Sequence, residues 1–223
     1  MSSFKDLVDR TFLSAHGVPE NKRKYIDSEI TKNITFDLID LSENFVVEHG
    51  EGTGSFENNE EFDIEVLAYG KLIKDNDYKY DTKYASFRGS KNCDFILYSD
   101  ANSTIIFNEH TSSNKGVHNL DKEDKDTGHT KFQKVEIQLR DSVKKMLEVD
   151  EINDFITTCS TKICLCSYKL YNGENNTQKA FNRPLAVLAK EIGEDGIKLS
   201  SPEIEQYGFE YRRISHDYSF KIS

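Results

Sequence analysis

Residues 92–112 read NCDFILYSDANSTIIFNEHTS. Two apolar runs, Phe95–Tyr98 and Ile105–Phe107, flank a polar turn, which is the pattern of a buried β-hairpin. Asp94 opens the first run and Glu109 closes the second. Strand alternation places Glu109 and Thr111 on one face. A carboxylate at the start of one strand and another near the end of its neighbour make this hairpin the decisive segment. It forms either a core element whose acidic ends cap turns and meet solvent, or a two-carboxylate site.

Downstream, KFQKVEIQLRDSVKKMLEVDEINDFI sets Phe132, Val135, Leu139, Val143, Met146 and Leu147 on one helical stripe, with Lys134, Gln138 and other polar residues around it. KICLCSYKL follows as a buried strand with Cys164 and Cys166 on one face. Upstream, SFKDLVDRTFLSAHG predicts an amphipathic helix within residues 1–17, capped by Ser2 or Ser3 and stopped at Gly17. Ile30, Ile34, Phe36 and Leu38 alternate, predicting a strand from about residue 33. EFDIEVLAYGKLIKD predicts a strand, alone or running into a turn. GEGTGSFENNEE is glycine-rich and acidic and is expected as an exposed loop; it lacks the helix and Lys-Ser/Thr pair of a phosphate cradle. YKYDTKYASFRGSKN, with tyrosines among cations, fits a solvated loop or a base-stacking surface. Residues 112–130 are charged and almost free of apolar groups, and are expected as a mobile loop. AFNRPLAVLAKEIGEDG predicts a helix opened by Pro184, and YGFEYRRISHDYSFKIS a terminal strand pair in which Tyr211, Arg212 and Arg213 face solvent or substrate. The order of elements implies a single domain over residues 1–223 of α/β (or α+β) class, a mixed central sheet flanked by helices.

Composition narrows the function. The chain has 223 residues, 39 acidic against 29 basic, with formal net charge −10; a protein built to coat duplex DNA would be basic. Fourteen Phe and eleven Tyr supply a core that a disordered chain lacks. Four cysteines without an N-terminal signal run imply reduced thiols and a cytoplasmic location, and no apolar run reaches the ~18 residues of a membrane helix. His110, His118 and His129 are irregularly spaced and are expected as solvated side chains.

A two-strand site for divalent-metal hydrolysis needs hard oxygen ligands from adjacent strands and, two residues after the second carboxylate, a cation on the same face. Asp94 and Glu109 meet the first requirement. The order CDFIL, turn, IIFNEHT, then a long helix bearing a glutamine resembles the PD-(D/E)XK superfamily, the restriction-endonuclease-like fold, over residues 90–170. The resemblance implies a Mg²⁺-dependent phosphodiesterase acting on DNA or RNA, a subunit of a bacterial defence or mobile-element system with a partner protein or a second copy of itself. It implies Asp94 and Glu109 as metal ligands, Gln138 as a polar helper on the helix, and a cation where Thr111 stands. Lys134 is then the expected substitute, with Lys115 and Lys131 as alternatives. The other reading is a catalytically inactive nuclease-like module that keeps the fold and binds a partner protein.

Overall fold

β6 (Phe95–Ser99) and β7 (Thr104–Ser113) form the expected antiparallel hairpin, with Phe95 opposite Asn108 and Ser99 opposite Thr104. Ser103 takes a left-handed φ of 51° to close the turn. These are features of a computed structural model that describes residues 3–40, 44–76, 91–113, 119–170 and 196–223. The expected helix over 180–190, most of the tyrosine-rich stretch, Lys115 and His118 lie outside the described residues.

The hairpin is the middle of a seven-stranded mixed sheet. β1 (Ser28–Thr31) and β5 (Ile64–Leu67) lie on the β6 side; β8 (Thr161–Leu170), β10 (Glu210–Ser215) and β9 (Ile197–Leu199) lie on the β7 side, in the order β1-β5-β6-β7-β8-β10-β9. β7, β8 and β10 run parallel to one another. A second, four-stranded sheet is ordered β11-β4-β2-β3, from β2 (Thr35–Leu38), β3 (Val46–Val47), β4 (Gly54–Glu57) and β11 (Phe220–Lys221).

Alternation along the central strands splits the core in two. Ile96, Ile105, Phe107, Cys164, Cys166 and Tyr211 face α1 (Phe4–Ala15), α3 (Lys131–Leu147) and α4 (Asp150–Thr158). Phe95, Leu97, Ile106, Ile163, Leu165 and Ile214 face Phe36, Leu38, Phe56 and Phe220 of the second sheet. The fold is therefore helices, mixed sheet and small sheet in three layers. Each fully buried Phe side chain contributes about 1.5–3 kcal/mol of burial, and Phe36 stacks on Phe56 at 5.3 Å between centroids.

The helices are set by local signals. α1 opens with a capping box between Ser3 and Asp6, and Gly17 at φ 75° follows its end. α3 carries the same device between Thr130 and Gln133 and buries the predicted stripe from Phe132 to Met146. α2 (Tyr69–Asn76) extends the 62–75 stretch beyond the predicted strand, because Tyr69, Leu72, Ile73 and Asn76 bury one helical face. α5 (Pro202–Glu205) is one short turn.

Four expectations need correction. GEGTGSFENNEE is not all exposed loop, since Gly52, Gly54, Ser55 and Phe56 are buried in or beside β4. A Cβ on Gly52 would sit 2.4 Å from the Leu38 carbonyl oxygen, so glycine is what lets the chain pass β2. Ile30 and Ile34 point outward, 66% and 52% exposed, and only Phe36 and Leu38 of that alternation reach the core. The tail strands do not pair with each other: β10 joins β8 and β9, whereas β11 joins β4. Within 112–130, Ser112 and Ser113 belong to β7, and Leu120 is fully buried and accepts from the Lys131 N–H at 3.0 Å. Among the described residues no helix is long and apolar enough to cross a membrane.

Candidate functional site

The β6–β7 register, continued one residue past Phe95 and Asn108, sets Asp94 opposite Glu109. The Asp94 N–H donates to the Asn108 carbonyl at 3.1 Å, and the His110 N–H donates to Asp94 Oδ2 at 2.9 Å. The Asp94 carboxyl is thereby held against the strand that carries Glu109. The two carboxyl groups belong to facing positions of adjacent strands and interact with each other. α3 fixes both ends of this arrangement. Gln138 Nε2 donates to Glu109 Oε1 at 2.6 Å and to the Asn92 carbonyl at 3.1 Å; one turn later, Ser142 Oγ accepts from the Cys93 N–H at 2.7 Å.

Glu109 is buried, and its Oε2 has no hydrogen-bond donor among the described residues. Burial, and then the charge of Asp40, push the Asp94 carboxyl up to about 7. Burial, and then the charge of Asp94, push Glu109 well above the usual carboxylate range. Buried like charges resist joint ionisation unless a proton or a cation joins them. Asp40, at the end of the path from β2, was not expected here; it reaches the site only because the small sheet packs against the central one, which no local pattern encodes.

The other proposed residues separate. Thr111 shares the face of Glu109, as β7 alternation requires, and brings no charge. Lys134 forms an ion pair with Asp124 at 2.9 Å, and Lys131 Nζ donates to the Ser112 carbonyl at 2.7 Å. Gln138 is placed as expected, but its amide orients Glu109 and the Asn92 backbone.

Opposite the acidic pair, between the sheets, lies a second polar group. Asp37 is fully buried and accepts from the Gly50 and Gly52 N–H groups at 2.9 and 3.0 Å, from Ser55 Oγ at 2.6 Å, and pairs with His49 Nδ1 at 3.2 Å. His110, expected as a solvated side chain, turns its ring into this region. Both ring nitrogens are buried without a partner among the described residues, and the ring contacts Phe95 and Gly54. Burial holds its pKa down to about 3. His129 is exposed as expected.

No protein-family model matches the chain, and neither a curated protein nor a solved structure matches it. The geometry alone therefore carries the functional reading. Among the described residues no three His, Cys, Asp or Glu side chains form a ready metal-ligand group. The Asp94–Glu109 pair is a two-carboxylate site, the number with which Mg²⁺ binds when water and substrate phosphate complete its octahedron. All four cysteines are free and buried, with Cys164 and Cys166 packed on the helical face as their spacing predicted, and burial raises the thiol of each of the four.

The raised carboxyls fix a sign. A group whose folded pKa exceeds its unfolded value contributes stability that is full below the unfolded pKa and is lost as pH rises through the folded one. Histidines with lowered pKa values, His16, His110 and His216, act below their ordinary 6.5, so these three do not account for a fall between pH 6.5 and 8. In chelator, the melting temperature of the protein falls across that window by roughly 3–6 °C, equivalent to ~1–2 kcal/mol. Asp94→Asn flattens the fall. A thermal scan showing the same slope in wild type and Asp94→Asn would assign the pH dependence to other groups.

Proposed function

We propose that the protein is a cytoplasmic, restriction-endonuclease-like phosphodiesterase of nucleic acid that holds Mg²⁺ between Asp94 and Glu109. One observation carries this reading: two carboxyls on facing strands, both raised in pKa, with Glu109 Oε2 left without a donor. A hard cation answers all three features at once. The four free, buried cysteines are in keeping with a reducing compartment.

Bound there, Mg²⁺ would polarise a phosphoryl oxygen and make bound water more acidic. The chain's own residues set up that chemistry. The His110 N–H fixes one Asp94 oxygen, Gln138 fixes Glu109 Oε1, and Glu109 Oε2 stays available. Asp40 adds negative charge that raises the attraction for a cation.

A second reading has its own support. Thr111 is neutral and Lys134 is paired with Asp124, so neither supplies the cation that a lysine two residues after Glu109 would provide. An inactive module that binds a partner protein would need none. Incubating the protein with single- and double-stranded DNA and RNA, in Mg²⁺ and in chelator, separates the two. Cleavage that requires the metal supports the enzyme; intact substrates under every condition support the module.

A further inference from the structure

The helical face of the central sheet carries a row that runs past the acidic pair. Asp94 faces Glu109, Glu109 is registered with Cys166 of β8, and Cys166 with Arg213 of β10. Tyr211 and Arg213 alternate with Arg212, which turns to the other face and pairs with Glu210 at 2.8 Å. Arg213 is half-buried. Its guanidinium lies 4.2 Å from the centre of the Phe132 ring, and its Nε donates to the Tyr211 hydroxyl at 2.9 Å. Among the described residues it makes no ion pair. A half-buried guanidinium held by aromatic rings and lacking a carboxylate keeps its charge and its remaining donors for a ligand. Cys166 lies between the two ends of the row: its thiol, raised by burial, is drawn down by Arg213 and pushed up by Glu109.

Three other cations near the site are committed elsewhere. Lys134 pairs with Asp124, Lys131 donates to the Ser112 carbonyl, and Lys169, on the opposite face, donates to the Gly52 carbonyl. Glu109 and Arg213 are two strand spacings apart, roughly 10 Å between backbones, a gap that an arginine side chain, a metal ion and a phosphate together can fill. We propose that Arg213 is the cation that binds the phosphodiester in this site, doing from β10 what Thr111 cannot do from β7. The assignment rests on the reading of Asp94 and Glu109 as a cation site. It explains why the site can lack the lysine without lacking the charge, and it makes the substrate a polyanion with a phosphate between the acidic pair and β10.

The test is anisotropy of fluorescein-labelled oligonucleotides, single-stranded DNA, duplex DNA and single-stranded RNA, titrated with the full chain in Ca²⁺ over a range of salt. Ca²⁺ takes the same class of oxygen ligand. Arg213→Ala is expected to weaken binding about tenfold and to reduce the slope of log affinity against log salt by about 0.7–0.9, one phosphate contact. Its calorimetric affinity for Mn²⁺ stays that of wild type. Arg213→Lys restores the salt slope, and Arg212→Ala leaves both slope and affinity alone. An unchanged slope in Arg213→Ala, with wild-type binding intact, overturns the assignment and leaves the acidic pair standing. Should circular dichroism show Arg213→Ala unfolded, Arg213→Lys against Arg213→Gln decides, equal slopes overturning it. Wild type that binds neither Mn²⁺ nor any oligonucleotide removes the underlying reading, and Arg213 with it.

Discussion

Glu109→Gln is expected to abolish the proposed Mg²⁺-dependent cleavage, by on the order of 10³-fold or more, equivalent to ~4 kcal/mol of transition-state stabilisation, and at the same time to make the chelated protein more stable. The two effects have one cause. Glutamine keeps the size of glutamate and can still accept from Gln138 Nε2 through its carbonyl oxygen, so packing beside Asn92 and Gln138 is preserved. The charge is gone, however, and with it the cost of burying the Glu109 carboxylate beside Asp94. At pH 8 in chelator the variant should gain about 1–2 kcal/mol, seen in urea unfolding. Loss of activity with gain of stability marks a site held under electrostatic strain for a ligand. Undiminished cleavage by Glu109→Gln would remove the acidic pair from catalysis.

The largest loss of stability is expected on the other face of the sheet. Asp37→Ala should destabilise the protein by about 3–5 kcal/mol, lowering its melting temperature by roughly 8–15 °C. Asp37 is 0% exposed, and its carboxylate receives the N–H groups of Gly50 and Gly52, the Ser55 hydroxyl and His49. Its removal leaves buried donors unpaired and frees the turn that brings β4 against β2. Asp37→Asn keeps one acceptor oxygen and should lose less, about 1–3 kcal/mol. Both variants keep Asp94 and Glu109, so at a temperature where they remain folded they should retain Mn²⁺ binding. Equal melting temperatures for Asp37→Ala and wild type would show that the small sheet is anchored by its aromatic core, Phe36, Phe56 and Phe220, alone.

The contrast between these two sites explains what could be read from sequence. Alternation over Ile105–Thr111 put Glu109 and Thr111 on one strand face, and the same strand carries that face to α3. The stripe from Phe132 to Met146 likewise set the buried face of α3, whereas Gln138 as a helper of the acidic pair was implied by the family resemblance. Both inferences depend on periods of two and 3.6 residues that operate within a single element. The small sheet was hidden because β4 is built from GSFE beside Gly52. Phe56 apart, its buried positions are small or polar, and Gly52 and Gly54 are buried because they pass close to the Leu38 carbonyl and the His110 ring. Such residues have the composition of a loop. Asp40 was invisible as a site residue, and Arg213 was legible only as one of three tail residues facing solvent or substrate, for another reason. Each joins the acidic pair through pairing or packing between segments far apart in the chain, β2 against the central sheet and β10 beside β8. Lys134 shows the converse: its position on α3 was legible, but its pairing with Asp124, on the segment before the helix, was not.

Isothermal titration with Mn²⁺ at pH 7.5 decides whether Asp94 and Glu109 form the proposed cation site. Wild type should bind about one ion per chain, with proton release that grows as pH is lowered toward 7, because Asp94, raised to about 7, and Glu109, raised well above the usual carboxylate range, must ionise to ligate. Glu109→Gln and Asp94→Asn should each give no binding heat. Saturable binding that survives in both variants, or wild type that takes up no Mn²⁺ at all, would contradict it.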